Sequence, residues 1–464
     1  MSSPRRVLLI DPPYLGDNIH WWDRVGSHMP GLGLPTMAAW LERRGHQVAI
    51  VDGHASGLSL ARPEAALSHM GRPDWIGITA MTPVVPQALS LARSCRRLFP
   101  DTPIVMGGAH ASVLPDDLLA HPEVDCAVRG EGEQTLTELV EGAQLEGIAG
   151  LSWRRGGTVV HNPDRALLTD LDQLPSPAWH LLPMERYRPG LGTYRRLPAM
   201  SLMSGRGCPN TCTYCFNIFG RRVRRQSPER VVQEIRRLNR EYGVRQIQFY
   251  DDTFTLQRSW LEDFCDRLMR ELPGVSWTCY GRVDRVDADS LALMARAGCH
   301  QICFGVESGD PDVLGTIDKR IGPEQVRRAI GLARKAGIEP RGTFMFGNQG
   351  ETEATMQRTL DLALELDLDV ALFSVATAYP GTAFFRWARE NGHLLTQDWA
   401  QFDRNSSTVR LPTVAPETVW DFHTRAYRSF YLRPRFLLRR GLRLRNLRHM
   451  KDAARVLTAV STWR

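Results

Sequence analysis

Three cysteines, Cys208, Cys212 and Cys215, stand in a Cys-x3-Cys-x2-Cys run within Cys208-Pro209-Asn210-Thr211-Cys212-Thr213-Tyr214-Cys215. Thiolates favour iron–sulfur clusters, and three on one short loop suit three irons of a cubane. The fourth iron then stays open to an outside ligand. A structural zinc centre would want a fourth Cys or His close by, and the next cysteine along the chain is Cys265. An apolar stretch, Ala199 to Met203, leads into the loop, and Gly205 and Gly207 free the backbone to turn.

At 464 residues the chain has room for two or three domains, and 43% hydrophobic with 23% charged residues is an ordinary globular balance. No run of about 18 apolar residues predicts a membrane span. Met1 to Arg6 lead straight into a strand-like run unlike a signal peptide. Nine cysteines, an odd number, point to a reducing cytoplasm rather than a disulfide framework. Cys95, Cys126, Cys265, Cys279, Cys299 and Cys303 read as small core residues. The net charge of +7 is carried mostly by Arg, concentrated at Arg221–Arg225 and after Arg433. No nucleic-acid reader motif accompanies it, so a nucleic-acid partner is not expected.

Residues 1–150 alternate short apolar strands with helices. The strands are Val7–Ile10, Gln47–Val51, Trp75–Thr79, Pro103–Met106 and Val124–Val128. This pattern predicts an α/β doubly wound parallel sheet whose ligand lies beyond the carboxyl ends of the strands. Small and polar residues gather there: Gly16, Thr79, Thr82, Gly107, Gly108 and Gly130. Residues 151–195 read as a connector, with a hairpin around Gly156-Gly157 and a proline-bearing stretch anchored by Trp179. Residues 196–395 hold six strand–helix units, a partial (β/α)6 barrel with its chemistry at the carboxyl ends. Residues 396–464 read as a helical tail covering the open barrel. Its amphipathic end from Pro434 onward leaves two readings open, a solvated helix face or peripheral membrane contact.

With Tyr214 in the aromatic slot before Cys215, the cysteine run resembles that of the radical S-adenosylmethionine enzymes. The resemblance implies a [4Fe-4S] cluster on Cys208, Cys212 and Cys215, with S-adenosylmethionine chelating the open iron. Reductive cleavage of that cofactor to a deoxyadenosyl radical would need an external donor such as a flavodoxin or ferredoxin. It further implies that Tyr214 and Phe216 flank the cofactors and that Asp251 and Asp252 meet the amino group. Glu307 would meet the ribose, Arg282 and Arg341 the methionyl carboxylate, and Tyr379 the adenine. The first half resembles the cobalamin-binding domain joined to many such enzymes, through Ile78-Thr79-Ala80-Met81-Thr82, Gly107-Gly108-Ala109-His110 and Gly130-Glu131-Gly132-Glu133. That implies cobalamin held by Thr79, Thr82, Gly107, Gly108, Gly130 and Glu131. Asp11-Pro12-Pro13 departs from the Asp-x-His-x-x-Gly motif, so the base-off cobalamin takes no histidine from that position; His20, His54 and His110 remain as alternatives.

The leading expectation is a cobalamin-dependent radical C-methyltransferase acting on an unactivated carbon of a small biosynthetic intermediate. The alternatives are an oxidative cyclase or ring-rearranging enzyme with the same cofactors, and a nonenzymatic iron–sulfur protein.

Overall fold

The computed structural model describes residues 3–14, 27–67, 71–366, 368–403 and 406–441, together with residue 458. Gly16, His20 and the Arg-rich stretch beyond residue 441 lie outside the described residues.

The first sheet holds β1 (Arg6–Asp11), β2 (Gln47–Asp52), β3 (Trp75–Thr79), β4 (Ile104–Gly107), β5 (Cys126–Val128), β6 (Leu151–Arg155) and β7 (Thr158–His161) in the order β2-β1-β3-β4-β5-β6-β7. β1 pairs in parallel with both β2 and β3, so the strand order reverses there and opens a crevice at their carboxyl ends. Helices cover both faces. Leu8 and Ile10 pack into one buried cluster while Val7 and Leu9 pack into another, which is why β1 reads as an unbroken apolar run. The hairpin expected in the connector instead extends this sheet: β6 pairs antiparallel with β5 and β7 with β6. Leu151 and Trp153 are buried against that sheet's core, so the sheet runs past residue 150 to His161.

The second sheet is all parallel and in sequence order, from β8 (Ala199–Leu202) through β9 (Gln246–Phe249), β10 (Ser276–Gly281), β11 (Cys299–Glu307) and β12 (Glu339–Phe346) to β13 (Val370–Val375). It is a six-unit partial barrel. Outward residues such as Ile247, Phe249, Trp277, Ile302, Phe304, Phe344 and Phe373 form the main core under the helices. The inward positions behave differently: Thr278 and Tyr280, Arg341 and Thr343, Leu372 and Ser374 are half-buried between buried neighbours. Side chains on these strands alternate between faces, so the inner face beside β10, β12 and β13 stays partly open.

The connector floors the barrel. The Gln246 and Gln248 side-chain amides each donate to the Thr193 carbonyl at 3.1 Å, and that of Gln301 donates to the Gly192 carbonyl at 2.8 Å. Trp179 is fully buried and donates to Glu234 Oε1 at 2.7 Å, the anchor its type suggested. Helix Pro228–Tyr242 starts on a Ser227 cap and stops at Gly243 with φ 63°, as the sequence implies. The open edge of β13 is covered by helix Pro416–Tyr431. The Tyr427 hydroxyl donates to the Phe373 carbonyl at 3.0 Å and accepts from its N–H at 3.2 Å; Tyr431 does the same at Ala371, at 2.7 and 3.2 Å. Two hydroxyls thus satisfy backbone groups that would otherwise template another strand.

Asp11 and Asp52 end β1 and β2 as register partners. Burial foremost, and then the Asp52 charge, raise the Asp11 carboxyl from 3.8 to about 7. The folded state therefore holds a proton that the unfolded chain has released, and stability falls as pH rises from about 4 to 7. Asp11→Asn should be more stable than wild type above pH 7, by up to about 4 kcal/mol at roughly 1.4 kcal/mol per pH unit. The gap should close toward pH 4. Calorimetry of both proteins across that range checks it, and a gap independent of pH refutes it.

Candidate cluster and cofactor site

The cysteine loop is fixed at its root before it reaches a thiol. Asp251, just past β9, is buried; its Oδ1 accepts from the Ser204 N–H at 2.7 Å and its Oδ2 from the Ser204 hydroxyl at 2.5 Å. Gly205-Arg206 then pairs antiparallel with Arg224-Arg225, closing the loop into a noose. Gly207 sits at φ 94°, where a Cβ would run into the Arg222 carbonyl oxygen. Further out, the Thr213 N–H donates to the Ile317 carbonyl at 3.0 Å and the Phe384 N–H to the Thr213 carbonyl at 2.9 Å. The noose presents Cys208 and Cys212 half-buried and Cys215 exposed.

The Asn210 side chain donates to Cys208 Sγ at 3.1 Å. The Cys215 residue is exposed at the rim but its sulfur is packed among protein atoms, and that burial foremost, then the neighbouring Cys212, Asp252 and Cys208, push its thiol up to about 12. Such a thiol stays protonated until a metal takes the sulfur, so loading the site releases protons. Among the described residues no three His, Cys, Asp or Glu side chains converge on one point as a single ion requires. A cubane binds each thiolate through a different iron, and the loop's three separate thiols fit that donor set.

Beside the thiols lies a group that the sequence reading only half found. Lys319 Nζ donates to Glu307 Oε1 at 2.9 Å and to the Tyr214 hydroxyl at 3.2 Å. Glu307, at φ 68°, ends β11 and faces the Thr343 hydroxyl at 3.5 Å. Burial, and then the Glu307 charge, hold the Tyr214 hydroxyl protonated well above its usual range. Lys319 was missed, although its type is a signal: it is one of three lysines in a chain with 58 Lys and Arg.

Several expected contacts are already occupied by protein. Arg282 donates to Asp284 Oδ1 and to the Lys319 carbonyl, both at 2.8 Å, so its guanidinium braces the Lys319 turn. Asp251 serves the loop root as described, whereas Asp252 is exposed and accepts from the Gly207 N–H. The Tyr379 hydroxyl donates to the Phe402 carbonyl at 2.8 Å. Arg341 lies deeper in the lumen, beside Cys303 rather than Glu307.

In the first sheet, Thr79 ends β3 in register with Gly107. Gly108 has φ 105°, and a Cβ there would come within 3.0 Å of the Ala80 carbonyl oxygen. Gly130, at φ 69°, donates its N–H to the Ser112 hydroxyl at 2.9 Å. Met81 is 50% exposed between these small residues, leaving an apolar ledge that fits a flat macrocycle. His110 is buried, with Nδ1 3.3 Å from the Thr82 hydroxyl and Nε2 3.0 Å from Asp117. Its ring nitrogens are thus taken, as for a satisfied polar residue; His54 is exposed and its ring sits 3.9 Å from that of His28.

Glu131 has a different task from the cofactor contact its motif suggested. Its Oε1 is 3.0 Å from Arg206 Nη1 and 2.9 Å from Arg224 Nη1, while Glu133 Oε1 is 2.6 Å from Arg206 Nη2. All four side chains are buried. Glu131 Oε2 accepts from the Leu168 N–H at 2.8 Å as well. The two glutamates follow β5, and the two arginines flank the cysteine loop, so this ion network ties the first sheet to the noose. A second contact lies nearby: a Cβ on Gly381 would meet Val113 Cγ1 at 2.6 Å and the Phe216 ring at 2.9 Å. The end of the barrel, the cysteine loop and helix Ala109–Val113 of the first domain therefore touch.

A three-thiol loop on a partial barrel, facing a ledge on a doubly wound sheet, defines a radical S-adenosylmethionine enzyme with a corrinoid domain. Residues 202–363 match the Radical SAM superfamily model and residues 22–140 the B12 binding domain model. The chain is 36% identical over 422 residues to "Uncharacterized methyltransferase PH0819" of Pyrococcus horikoshii, covering 89% of this chain and 90% of that protein. It is 27% identical over 445 residues to the anaerobic magnesium-protoporphyrin IX monomethyl ester cyclase of Rubrivivax gelatinosus, covering 93% and 78% respectively. Its fold matches the radical S-adenosylmethionine methyltransferase TsrM of Kitasatospora setae, solved with cobalamin and a [4Fe-4S] cluster, at TM-score 0.71 and 18% identity over 99% of each chain. The chain belongs to the cobalamin-binding radical S-adenosylmethionine enzymes. Its cofactors are a [4Fe-4S] cluster, S-adenosylmethionine and cobalamin.

Alanine at Cys208, Cys212 or Cys215 should remove the iron and end deoxyadenosine release while leaving cobalamin binding intact. Iron analysis and the visible spectrum of the corrin check both halves, and loss of corrin with the iron would refute their independence. Glu131→Gln leaves two arginines buried with one charge fewer, and should destabilise the protein by about 3–5 kcal/mol. Thermal unfolding reads this directly; a change under about 1 kcal/mol would mean that the network is not buried as described.

Proposed function

We propose that this protein is a C-methyltransferase that places a methyl group on an unactivated carbon of a small biosynthetic intermediate. The observation that carries the reading is the touching of Phe216, Gly381 and Val113 above the partly open inner face of the barrel. It sets the ledge of the first sheet and the cysteine loop over one cavity, so that a bound substrate meets both. When bound, the cluster with S-adenosylmethionine supplies a hydrogen-abstracting radical, and cobalamin supplies the methyl group. The chain's own contribution is placement. Lys319 and Glu307 hold Tyr214, and with it the loop, against the barrel mouth, and Asp252 offers a carboxylate on the same side. Orientation of this kind accounts for much of the catalysis when two reactive centres share one substrate.

Cys215 is exposed, with Arg221 and Arg222 exposed on the same loop. That basic rim suits a small acidic electron carrier of the flavodoxin or ferredoxin type. The free thiols agree with a cytoplasmic location. No helix among the described residues is long and apolar enough to cross a membrane. Among the described residues, peripheral membrane contact would run through helix Pro434–Gly441, where Leu438 is 68% exposed and Phe436 is buried in the core.

A cyclase reading has support in the relative at 27% identity; the more similar relative is named as a methyltransferase, at 36%. The two readings differ in what they release. A methylation consumes one S-adenosylmethionine to S-adenosylhomocysteine and a second to deoxyadenosine and methionine, while cyclisation needs no S-adenosylhomocysteine. The anaerobically reconstituted and reduced protein should form both S-adenosylhomocysteine and deoxyadenosine, measured by mass spectrometry. Deoxyadenosine without S-adenosylhomocysteine favours cyclisation and overturns the proposal.

A further inference from the structure

Buried cations in this barrel come with a carboxylate. Arg282 lies 2.8 Å from Asp284 and Lys319 lies 2.9 Å from Glu307. At the domain junction Arg206 lies 2.6 Å from Glu133 and Arg224 2.9 Å from Glu131. Arg341, half-buried on the inner side of the barrel, has no such carboxylate among the described residues. It points into the lumen from β12, in register with Cys303 on β11 and Val370 on β13. Its Nε is buried without a hydrogen-bond partner. Among the described residues no carboxylate lies within ion-pair distance of it, and the Tyr280 ring is 6.0 Å from its guanidinium carbon. A half-buried charge without a counter-ion carries a desolvation cost that an anionic ligand would offset.

The depth of Arg341 selects among ligands. Glu307 is at the level of the cysteine loop, because Lys319 joins it to Tyr214. Arg341 pairs with Cys303 and Phe344 with Glu307, so Arg341 lies three residues lower on β12, about 10 Å of strand. It also lies two residues below Thr343, which the Glu307 carboxylate reaches. Gln301, two residues below Cys303, is already bonded to the floor at Gly192. A methionyl carboxylate would be held beside the loop, where Lys319 and Tyr214 stand, while Arg341 faces the inner side of the barrel below that group. Space does reach it: the inward positions above the floor, Tyr280, Thr343 and Ser374 among them, are half-buried. The Tyr250 and Tyr280 rings stand beside it with centroids 5.8 Å apart.

We propose that Arg341 receives the anionic end group of the organic substrate, a carboxylate or phosphate-type oxyanion bound through the guanidinium fork. The substrate stands in the lumen on this cation, with the carbon to be methylated at the mouth, on the order of 10 Å above. This rests on the methyltransferase reading and narrows its substrate to elongated organic anions.

Equilibrium dialysis of the protein reconstituted with iron, sulfide and hydroxocobalamin tests it, with hexanoate, hexylphosphonate and hexan-1-ol as probes. Wild type should bind one of the two anions at a single saturable site, and the preferred anion tells carboxylate from phosphate-type recognition. Hexan-1-ol should bind at least about tenfold more weakly. R341M should weaken the anion by about 30-fold or more, R341K should retain part of the affinity, and the affinity of R341M for S-adenosylmethionine should match wild type. Substrate-free R341M should melt at or above wild type, because it removes an unpaired, half-buried charge. Anion affinity retained in R341M, absence of any anion site in wild type, or loss of S-adenosylmethionine binding in R341M each overturns the proposal. A lowered melting temperature or a misfolded R341M also overturns it, since that marks a structural role. Failure to form S-adenosylhomocysteine would sink the methyltransferase reading alone and leave the dialysis result interpretable.

Discussion

Four buried charges at the domain junction set the position of everything chemical in this protein. Glu131 and Glu133 leave the last parallel strand of the first sheet, and Arg206 and Arg224 stand on the two strands that close the cysteine loop. Each charge is removed from water, and only a mutually satisfied network makes that tolerable. Arg206 divides its two terminal nitrogens between two glutamates, and Glu131 takes both arginines. Because Arg206 is two residues from Cys208, the position of the first sheet reaches the cluster through one short segment of backbone. A looser joint would let the two reactive centres drift relative to one substrate, and displacements of an ångström are expensive in catalysis.

The two faces of the barrel sheet are built differently. Its outer face is packed with aromatic and branched side chains, so stability comes from the helix side of the sheet. The inner face carries threonines, tyrosines and an arginine that retain exposure. Glutamines close the bottom onto the connector, and two tyrosine hydroxyls on the tail helix cover the open edge. The two ends of the barrel thus differ in kind: a polar floor bonded to the connector below, and a rim that meets the first domain above.

The cysteine spacing, the glycines of the loop, the helix caps and the two sheets were legible from residue order, because each depends on neighbours within a few positions. The roles of individual charged residues were not. Glu131 reads as a strand-end cofactor contact until Arg206 and Arg224 arrive from 75 and 93 positions away. Arg282 and Asp251 sit where an active-site residue would, yet their hydrogen bonds go to protein. Lys319 carried a compositional hint but no motif. The hairpin at residues 151–161 was assigned to the wrong side of a boundary, since pairing to β5 is invisible without the fold.

Local chemistry was therefore decided by the chain alone: three thiolates on one loop, with their spacing and flanking glycines, admit a cluster with an open iron wherever the loop lies. What they face was decided only by tertiary structure. A charge takes its meaning from the nearest opposite charge in space, and which cations find a carboxylate and which are left to a ligand depends on register and burial that no stretch of sequence contains.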